Sequence, residues 1–165
     1  MTSPSAPTAA PTPATPGAPA LNPRVIALAH YAGRAILENV LARHGATFQQ
    51  SVTLRLVAVA DGPVDRERLV GEVVDALKTD EAAVRSVVAE LVEGRLLAAE
   101  STTSLTITDA GRELYGTTSA ETAPISARIY AGIPDGDLAT AGRVLSLINE
   151  RANAELAAMA GPGVE

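Results

Sequence analysis

Residues Asp80–Gly111 read DEAAVRSVVAELVEGRLLAAESTTSLTITDAG, and the signals in this segment indicate a helix, then a hairpin, then a second helix. Asp80 is a favourable N-cap residue, and Gly94 is typical of a helix end. Between them, apolar residues recur at the spacing i, i+3, i+4, i+7 of a single buried helix face: Val84, Val87, Val88 and Leu91. The segment therefore begins with an amphipathic helix that buries one side.

Two short strands follow this helix. Residues Leu96–Glu100 and Ser104–Thr108 are expected to pair across a short polar loop. Thr108 and Asp109 then begin a long helix that runs to about Tyr130, with Pro124 as a candidate interruption. A helix, a hairpin and a helix in this order are typical of a winged helix-turn-helix. The predicted fold class is therefore mainly α with a small β-hairpin wing.

Three more helices are predicted before this segment. Asn22-Pro23 begins the first, which runs to about Arg43. Thr47 and Gln50 have the spacing of a capping box, which predicts a second helix. Asp65 is expected to cap a third helix, so that the helix beginning at Asp80 is the fourth.

A last helix, from about Asp137 to Met159, carries one long apolar stripe. The stripe consists of Leu138, Ala141, Leu145, Ile148, Ala152, Leu156 and Met159. The first helix has a similar surplus of apolar residues. Because one copy of the chain has little left to cover both, the sequence predicts a homodimer whose N- and C-terminal helices form a helical dimerisation region.

Composition and charge restrict the possible functions. Aromatic residues make up 2% of the chain and cysteine is absent, which leaves few stacking platforms for bases and no thiolate chemistry. The net charge is −6: residues 61–113 hold twelve acidic and six basic residues, whereas the rest of the chain holds seven of each. The whole imbalance therefore lies in the winged segment that would approach DNA. No apolar run reaches the length of a membrane span.

From about Arg24 to Met159 the chain resembles the MarR family of bacterial transcription factors. The resemblance is carried by Ala60-Asp-Gly-Pro-Val64, by the pattern Asp80…Val84…Val88…Leu91, by Arg95-Leu-Leu97 and by Leu105-Thr-Ile-Thr-Asp-Ala-Gly111. It implies an obligate dimer that places its fourth helix in a DNA major groove and its wing against the minor groove. It also implies a small anionic or phenolic ligand between the dimerisation helices and the winged module.

The resemblance places DNA contacts on the third and fourth helices. The candidates comprise four cations for phosphates, one hydroxyl donor and two alanines that can meet thymine methyl groups: Arg66, Arg68, Lys78, Arg85, Ser86, Ala82 and Ala89. Members of the family typically carry a base directly after the capping Asp and another at the wing tip. Here Glu81 follows the cap and Glu100–Ser104 carry no base, while Glu90 and Glu93 lie on or beside the same face. Carboxylates repel phosphates, so a modest DNA affinity is expected.

A polar set on the first two helices is the candidate ligand site: His30, Tyr31, Arg34, Gln49 and Gln50. Arg34 can pair with a ligand carboxylate, and the glutamines can hydrogen-bond it. The alternative is a solvated salt-bridge stripe of His30, Arg34 and Glu38, four residues apart on one helix.

For catalysis the sequence offers little material. His30 and His44 are the two side chains that can act as bases near neutral pH, and no nucleophile motif, phosphate loop or metal-ligand spacing surrounds them. No catalytic residue, cofactor or metal is therefore predicted.

The predicted organisation is a disordered Pro/Ala/Thr-rich tail over residues 1–21, one domain over 22–160 and a flexible end over 161–165. Within the domain, 22–46 and 116–160 are assigned to dimerisation, and 47–115 to the winged helix. Two functions stay open at this point. One is a ligand-responsive, DNA-binding regulator of the cytoplasm. The other is a scaffold of the same fold that has lost DNA binding and binds a small molecule or a protein, or has acquired catalysis.

Overall fold

Six helices and three short strands make up residues 20–161, the part of the chain that the computed structural model describes. In chain order these are α1 (Pro23–Arg43), α2 (Phe48–Ala58), β1 (Val64–Asp65), α3 (Arg66–Leu77), α4 (Glu81–Glu93), β2 (Leu97–Ala99), β3 (Ser104–Ile107), α5 (Asp109–Tyr130) and α6 (Asp135–Met159). The predicted fold class, mainly α with a small hairpin wing, is confirmed. The predicted disordered tail and flexible end fall almost wholly on residues outside the described range.

Local capping signals fix where the helices of the winged module begin. Thr47 and Gln50 form the complete predicted capping box at the start of α2. Asp80 Oδ1 accepts bonds from the backbone N–H of Ala82 at 2.8 Å and of Ala83 at 3.2 Å, which starts α4 where the sequence predicts. Asn22, Asp65 and Thr108 cap α1, α3 and α5 in the same way.

Three details differ from the sequence prediction. A two-residue strand, β1, joins the hairpin and gives a three-stranded antiparallel sheet in the order β1-β3-β2, with Val64 opposite Leu105. Helix α5 continues through Pro124 without a break. The residue with left-handed backbone after α4 is Arg95, at φ 58°, and not Gly94, whose φ is −70°.

The apolar core lies within the winged module. Its twelve residues come from α2, α3, α4 and the sheet: Leu54, Val57, Leu69, Val70, Val73, Val84, Val87, Val88, Leu91, Leu97, Leu105 and Ile107. All four apolar residues predicted for the inner face of α4 are among them. The one-sided burial predicted for that helix is therefore confirmed.

Gly111 allows α5 to begin directly beside the hairpin. A Cβ at this position would lie 2.2 Å from the backbone oxygen of Leu96 and 2.9 Å from Cγ1 of Ile107. The neighbouring Thr108 Oγ1 donates to the oxygen of Arg95 at 2.7 Å and accepts from the N–H of Gly111 at 3.0 Å. The Thr-Asp-Ala-Gly sequence thus joins the wing to the next helix by a cap and a close backbone contact.

The long terminal helices bury much less. Helix α1 buries only Val40 and Leu41, near its C-terminal end. Helix α6, which lies wholly within the described residues, buries none of its side chains. Four members of its apolar stripe, Leu145, Ile148, Leu156 and Met159, are 41 to 81% exposed. None of the helices described here has the length and hydrophobicity needed to cross a bilayer.

Candidate DNA interface and ligand site

Helix α4 presents the predicted DNA-contacting residues on one side. Because Val84, Val87, Val88 and Leu91 point into the core, the opposite face is left to Ala82, Arg85, Ser86 and Ala89, all of them exposed. The amphipathic pattern thus brings these four candidates together. Ser86 Oγ points toward Glu90 Oε1, 3.5 Å away, so an acidic side chain lies beside the hydroxyl that was expected to meet a phosphate.

Arg85, the cation of that face, is bound to two carboxylates. Its Nη1 and Nη2 donate to the two oxygens of Glu67 at 2.8 and 2.5 Å. Its Nε and Nη2 donate to Oε1 of Glu81 at 3.0 and 2.7 Å. Glu67 comes from the first turn of α3, and Glu81 lies one turn before Arg85 on α4 itself.

These hydrogen bonds also change the protonation equilibria of the cluster. The hydrogen bond from Arg85 lowers the pKa of Glu67, which keeps that carboxylate charged. Bonds to Glu67 first and Glu81 second raise the pKa of Arg85. The two shifts therefore favour the ionised forms of Glu67 and Arg85, the pair that joins α3 to α4.

The other predicted phosphate contacts lie on α3 or at its C-terminal end. Arg68 pairs with Glu72 at 2.7 Å, and Lys78 pairs with Asp75, each within one helical turn. Arg66 is half-buried and lines an open cleft of about 250 Å³ together with Arg85, Val70 and Val88. With the described residues, the Arg66 side chain forms no ion pair.

The wing tip is polar and uncharged beyond Glu100. Residues 100–103 are exposed, and the N–H of Glu100 bonds to the oxygen of Ser104 at 3.0 Å to close the turn. Ser101 and Thr103 contact each other through their hydroxyls at 3.4 Å. On the other side, the backbone N–H of Arg66 bonds to the oxygen of Thr103 at 2.8 Å. The tip is therefore held against the start of α3, next to the Arg66 cleft.

The residues of the predicted ligand site are only partly brought together. His30, Tyr31, Arg34 and Gln49 are exposed. Arg34 pairs with Glu38 at 2.8 Å, as in the solvated-stripe alternative, and its Cζ also lies 4.5 Å from the centre of the Phe48 ring at the start of α2.

Gln50 points elsewhere in the molecule. Its Oε1 completes the capping box, and its Nε2 donates to Glu90 Oε2 on α4 at 3.0 Å. It also lines a small cavity, with room for about one water, at the junction of α1, α2, α4 and α5. The cavity is otherwise lined by Leu41, Ala46, Ser51, Leu54, Leu91, Leu114, Tyr115 and Thr118.

A larger groove that the sequence analysis missed runs between α1 and α5. Its volume is about 800 Å³. The lining residues are Ala29, Ala32, Gly33, Ile36 and Leu37 from α1 and Ser119, Thr122, Ala123, Ile125, Ser126, Ile129 and Tyr130 from α5. Small residues at helical spacing on both helices were the available signal. Only the tertiary structure places the two faces side by side.

His44, one of the two candidate bases, takes part in a structural contact. Its Nε2 lies 2.8 Å from Oε1 of Glu121, whose other oxygen binds Arg43. The hydrogen bond from Arg43, followed by that from His44, lowers the pKa of Glu121. This cluster ties the C-terminal end of α1 to the middle of α5.

Comparisons with known proteins agree with this architecture. No protein-family model matches the chain, and no curated protein matches its sequence. Solved structures do match. The chain is similar to MarR of Staphylococcus aureus in complex with salicylate and kanamycin, with a TM-score of 0.69 and 19% identity over 80% of this chain and 90% of that one.

Two further structures show the same likeness. A MarR-family transcriptional regulator from Rhodococcus has a TM-score of 0.62 and 19% identity over 76% of this chain and 89% of its own. BpsR of Bordetella bronchiseptica, whose DNA binding is regulated by 6-hydroxynicotinic acid, has a TM-score of 0.61 and 22% identity over 84% of this chain and 99% of its own. The chain therefore has the winged-helix fold of MarR-type transcriptional regulators, as its sequence motifs predict.

Proposed function

We propose that this chain is a dimeric, MarR-like transcriptional regulator of the cytoplasm that binds double-stranded DNA and responds to a small ligand. The observation that carries the proposal is the exposed face of α4, where Ala82, Arg85, Ser86 and Ala89 stand together on a helix whose other face is buried. The fold that presents this face matches a MarR-family transcriptional regulator, and BpsR, whose DNA binding is regulated, over most of their length.

The terminal helices support dimerisation. A 25-residue helix that buries no side chain in one copy is stable only if another surface covers its apolar stripe. The groove between α1 and α5 is a second uncovered surface, and its α5 side extends to Tyr130, shortly before α6 begins at Asp135. We assign residues 22–46 and 116–160 to this interface and 47–115 to DNA binding. A second copy of the chain is the most economical partner, because a two-fold symmetric interface covers the α6 stripe and the groove of both copies at once.

DNA contacts in this proposal are mainly electrostatic. Arg66, Arg68 and Lys78 bind phosphates, and Arg85 either joins them or reads a base edge. The Arg68 and Lys78 ion pairs are exposed and lie within one helix, so a phosphate can replace either carboxylate at little cost. Two copies then neutralise on the order of six to eight phosphates, which predicts a steep dependence of affinity on salt.

A salt titration tests DNA binding directly. Fluorescence anisotropy would measure binding of the full chain to a random duplex and to the upstream region of its own gene, from low to physiological salt. The proposal predicts binding to both at low salt and tighter binding to the upstream region. Absence of binding to either duplex at low salt contradicts it.

For the ligand, the proposal adopts the residues identified from the sequence. Salicylate, 4-hydroxyphenylacetate and p-coumaroyl-CoA are bound in solved structures similar to this one, and the first two are small anions with a phenolic ring. Arg34 would bind the carboxylate, and His30, Tyr31 and Gln49 would surround it. Gln50 would connect the site to α4, because its amide already holds Glu90 at 3.0 Å.

Calorimetry with salicylate tests this site. Arg34→Ala should weaken binding at least tenfold, since a charge-assisted hydrogen bond is lost. Arg24→Ala removes the same charge from the same helix outside the candidate site and serves as the control. If Arg34→Ala bound salicylate as tightly as wild type, these residues would not form a ligand site. The solvated salt-bridge stripe of His30, Arg34 and Glu38 would then be the correct interpretation.

One observation favours a second candidate function. The cation on the outer face of α4 is already bound by two carboxylates, and the winged segment as a whole carries the net negative charge. A scaffold of this fold that binds a small molecule or a protein in place of DNA fits that charge distribution. Such a scaffold would bind neither duplex in the salt titration, but it would still bind salicylate in the calorimetry experiment.

A further inference from the structure

The ion pair between Arg85 and Glu67 differs from the other ion pairs of the winged module. Arg68–Glu72, Lys78–Asp75, Arg112–Asp109 and Arg85–Glu81 all join residues three or four apart on one helix or at its end. Arg85–Glu67 joins two helices through two parallel bonds, from α3 to α4. Bidentate pairing of this kind holds a guanidinium in a defined orientation.

The hydrogen bonds that Arg85 already makes determine how many of its N–H donors remain free for DNA. A guanidinium has five N–H donors, and four are already directed at Glu67 and Glu81. Both edges that could bind a phosphate or a guanine with two bonds are therefore occupied: Glu67 holds the Nη1–Nη2 edge and Glu81 holds the Nε–Nη2 edge. Arg85 cannot bind DNA in two-bond geometry without releasing a carboxylate.

We infer that Glu67 acts as an intramolecular substitute for a DNA phosphate, withholding Arg85 from DNA and thereby setting the affinity of the winged helix. The inference rests on the proposed DNA-binding function. In this arrangement, Arg85 reaches a phosphate only where Glu67 has released it, so most wild-type complexes with DNA lack the Arg85 contact, and the Glu67 carboxylate remains next to the phosphates. Glu67 thus weakens binding twice, by competition and by repulsion.

Two properties of the pair suit it to this role. Both side chains are exposed, 44% for Arg85 and 62% for Glu67, so the pair can open without disturbing the core. The open cleft beside Arg85 also contains Arg66, so a phosphate reaching Arg85 would meet a second guanidinium. The pair therefore stands at a position where phosphate and Glu67 compete for the same donors.

Substitution of Glu67 tests the inference on the full chain. Glu67→Gln leaves one neutral acceptor for Arg85, and Glu67→Ala leaves none. Affinity for a random duplex at low salt should rise in the order wild type, Glu67→Gln, Glu67→Ala, by about tenfold over the series. The slope of log affinity against log salt should steepen by about 2 for a dimer, because each copy gains one phosphate contact.

The control separates release of Arg85 from simple loss of negative charge. Glu93→Gln removes one carboxylate from the same face of α4, and Glu93 forms no ion pair with the described residues. It should raise affinity less than Glu67→Gln and leave the salt slope unchanged. Adding Arg85→Ala to Glu67→Ala should abolish the gain and return the slope to the wild-type value.

The outcomes distinguish this inference from the proposed function. If wild type binds and Glu67→Ala gains no more than Glu93→Gln, the inference is overturned and the regulator stands. If wild type does not bind but Glu67→Ala does, through Arg85, the inference stands and wild type is not itself a DNA-binding protein. If no variant binds at low salt, both fail. A gain that survives Arg85→Ala also overturns the inference.

Discussion

The winged module and the terminal helices differ in how much of their apolar surface one copy of the chain covers. All twelve residues of the core cluster lie in the segment from α2 to β3. Helix α6 is nearly twice as long as α4, yet none of its own side chains is buried. The winged module can therefore fold through its own contacts. The terminal helices leave their apolar surface uncovered, so in the proposed dimer their stability depends on protein concentration.

Gly111→Ala should produce a large loss of stability on the winged-module side of this comparison. The new methyl group would lie 2.2 Å from the backbone oxygen of Leu96, a contact that no rotamer change can relieve. Either the start of α5 or the hairpin must move. We expect the free energy of unfolding to fall by about 3 kcal/mol, measured by urea denaturation.

Gly116→Ala is the matched control on the same helix. Nothing lies within 4 Å of its added Cβ, so only the helix propensity changes. The variant should be more stable than wild type by about 0.5–1 kcal/mol. If the two substitutions had equal effects, the close contact of Gly111 with Leu96 would not be what joins the wing to α5.

Leu145→Ala tests the other side of the comparison. Leu145 is 41% exposed in one copy and belongs to the stripe that the proposed dimer buries. We expect the dissociation constant of the dimer to rise roughly tenfold to hundredfold, because each copy loses a buried side chain, while the isolated subunit changes little. Analytical ultracentrifugation over a concentration series measures the change.

Leu91→Ala is the control, because it should lower the stability of the subunit without weakening the dimer. Leu91 is 1% exposed within the winged core. Its truncation should cost about 3 kcal/mol at every protein concentration and leave the association of the folded subunits unchanged. An unchanged dimer in Leu145→Ala would show that the α6 stripe faces something other than a second copy.

The sequence predicts local features of this molecule well and distant ones poorly. The inner face of α4 and the caps at Asp80 and Thr108 follow from residues within one or two turns of each other. Strand β1 has only two residues, too few for a periodic pattern, and it forms because β3 offers a partner from much later in the chain.

The candidate DNA interface shows the same division. Periodicity places Arg85 on the outer face of α4, and the spacing to Glu81 is visible in the sequence. Glu67, which holds the other edge of the guanidinium, lies eighteen residues earlier, and only the packing of α3 on α4 brings it there. Counting charges indicates that the segment is acidic, but it does not identify the carboxylate that binds the guanidinium of Arg85.

The Glu121 cluster should give the smallest effect, a change in stability confined to one range of pH. Arg43, and then His44, lower the pKa of Glu121 below its ordinary value of 4.5. A carboxyl whose pKa is lower in the folded state stabilises that state above the unfolded pKa and loses this contribution as pH falls through its folded pKa. Glu121→Gln should therefore be less stable than wild type at pH 7, and the two should converge as pH falls through the lowered pKa of Glu121. Urea denaturation between pH 3 and pH 7 measures the difference.

In an Arg43→Gln background the Glu121→Gln substitution should have a smaller effect, because the main cause of the lowered pKa is gone. A difference that stayed constant down to pH 3 would show that Glu121 joins α1 to α5 by packing and not by charge.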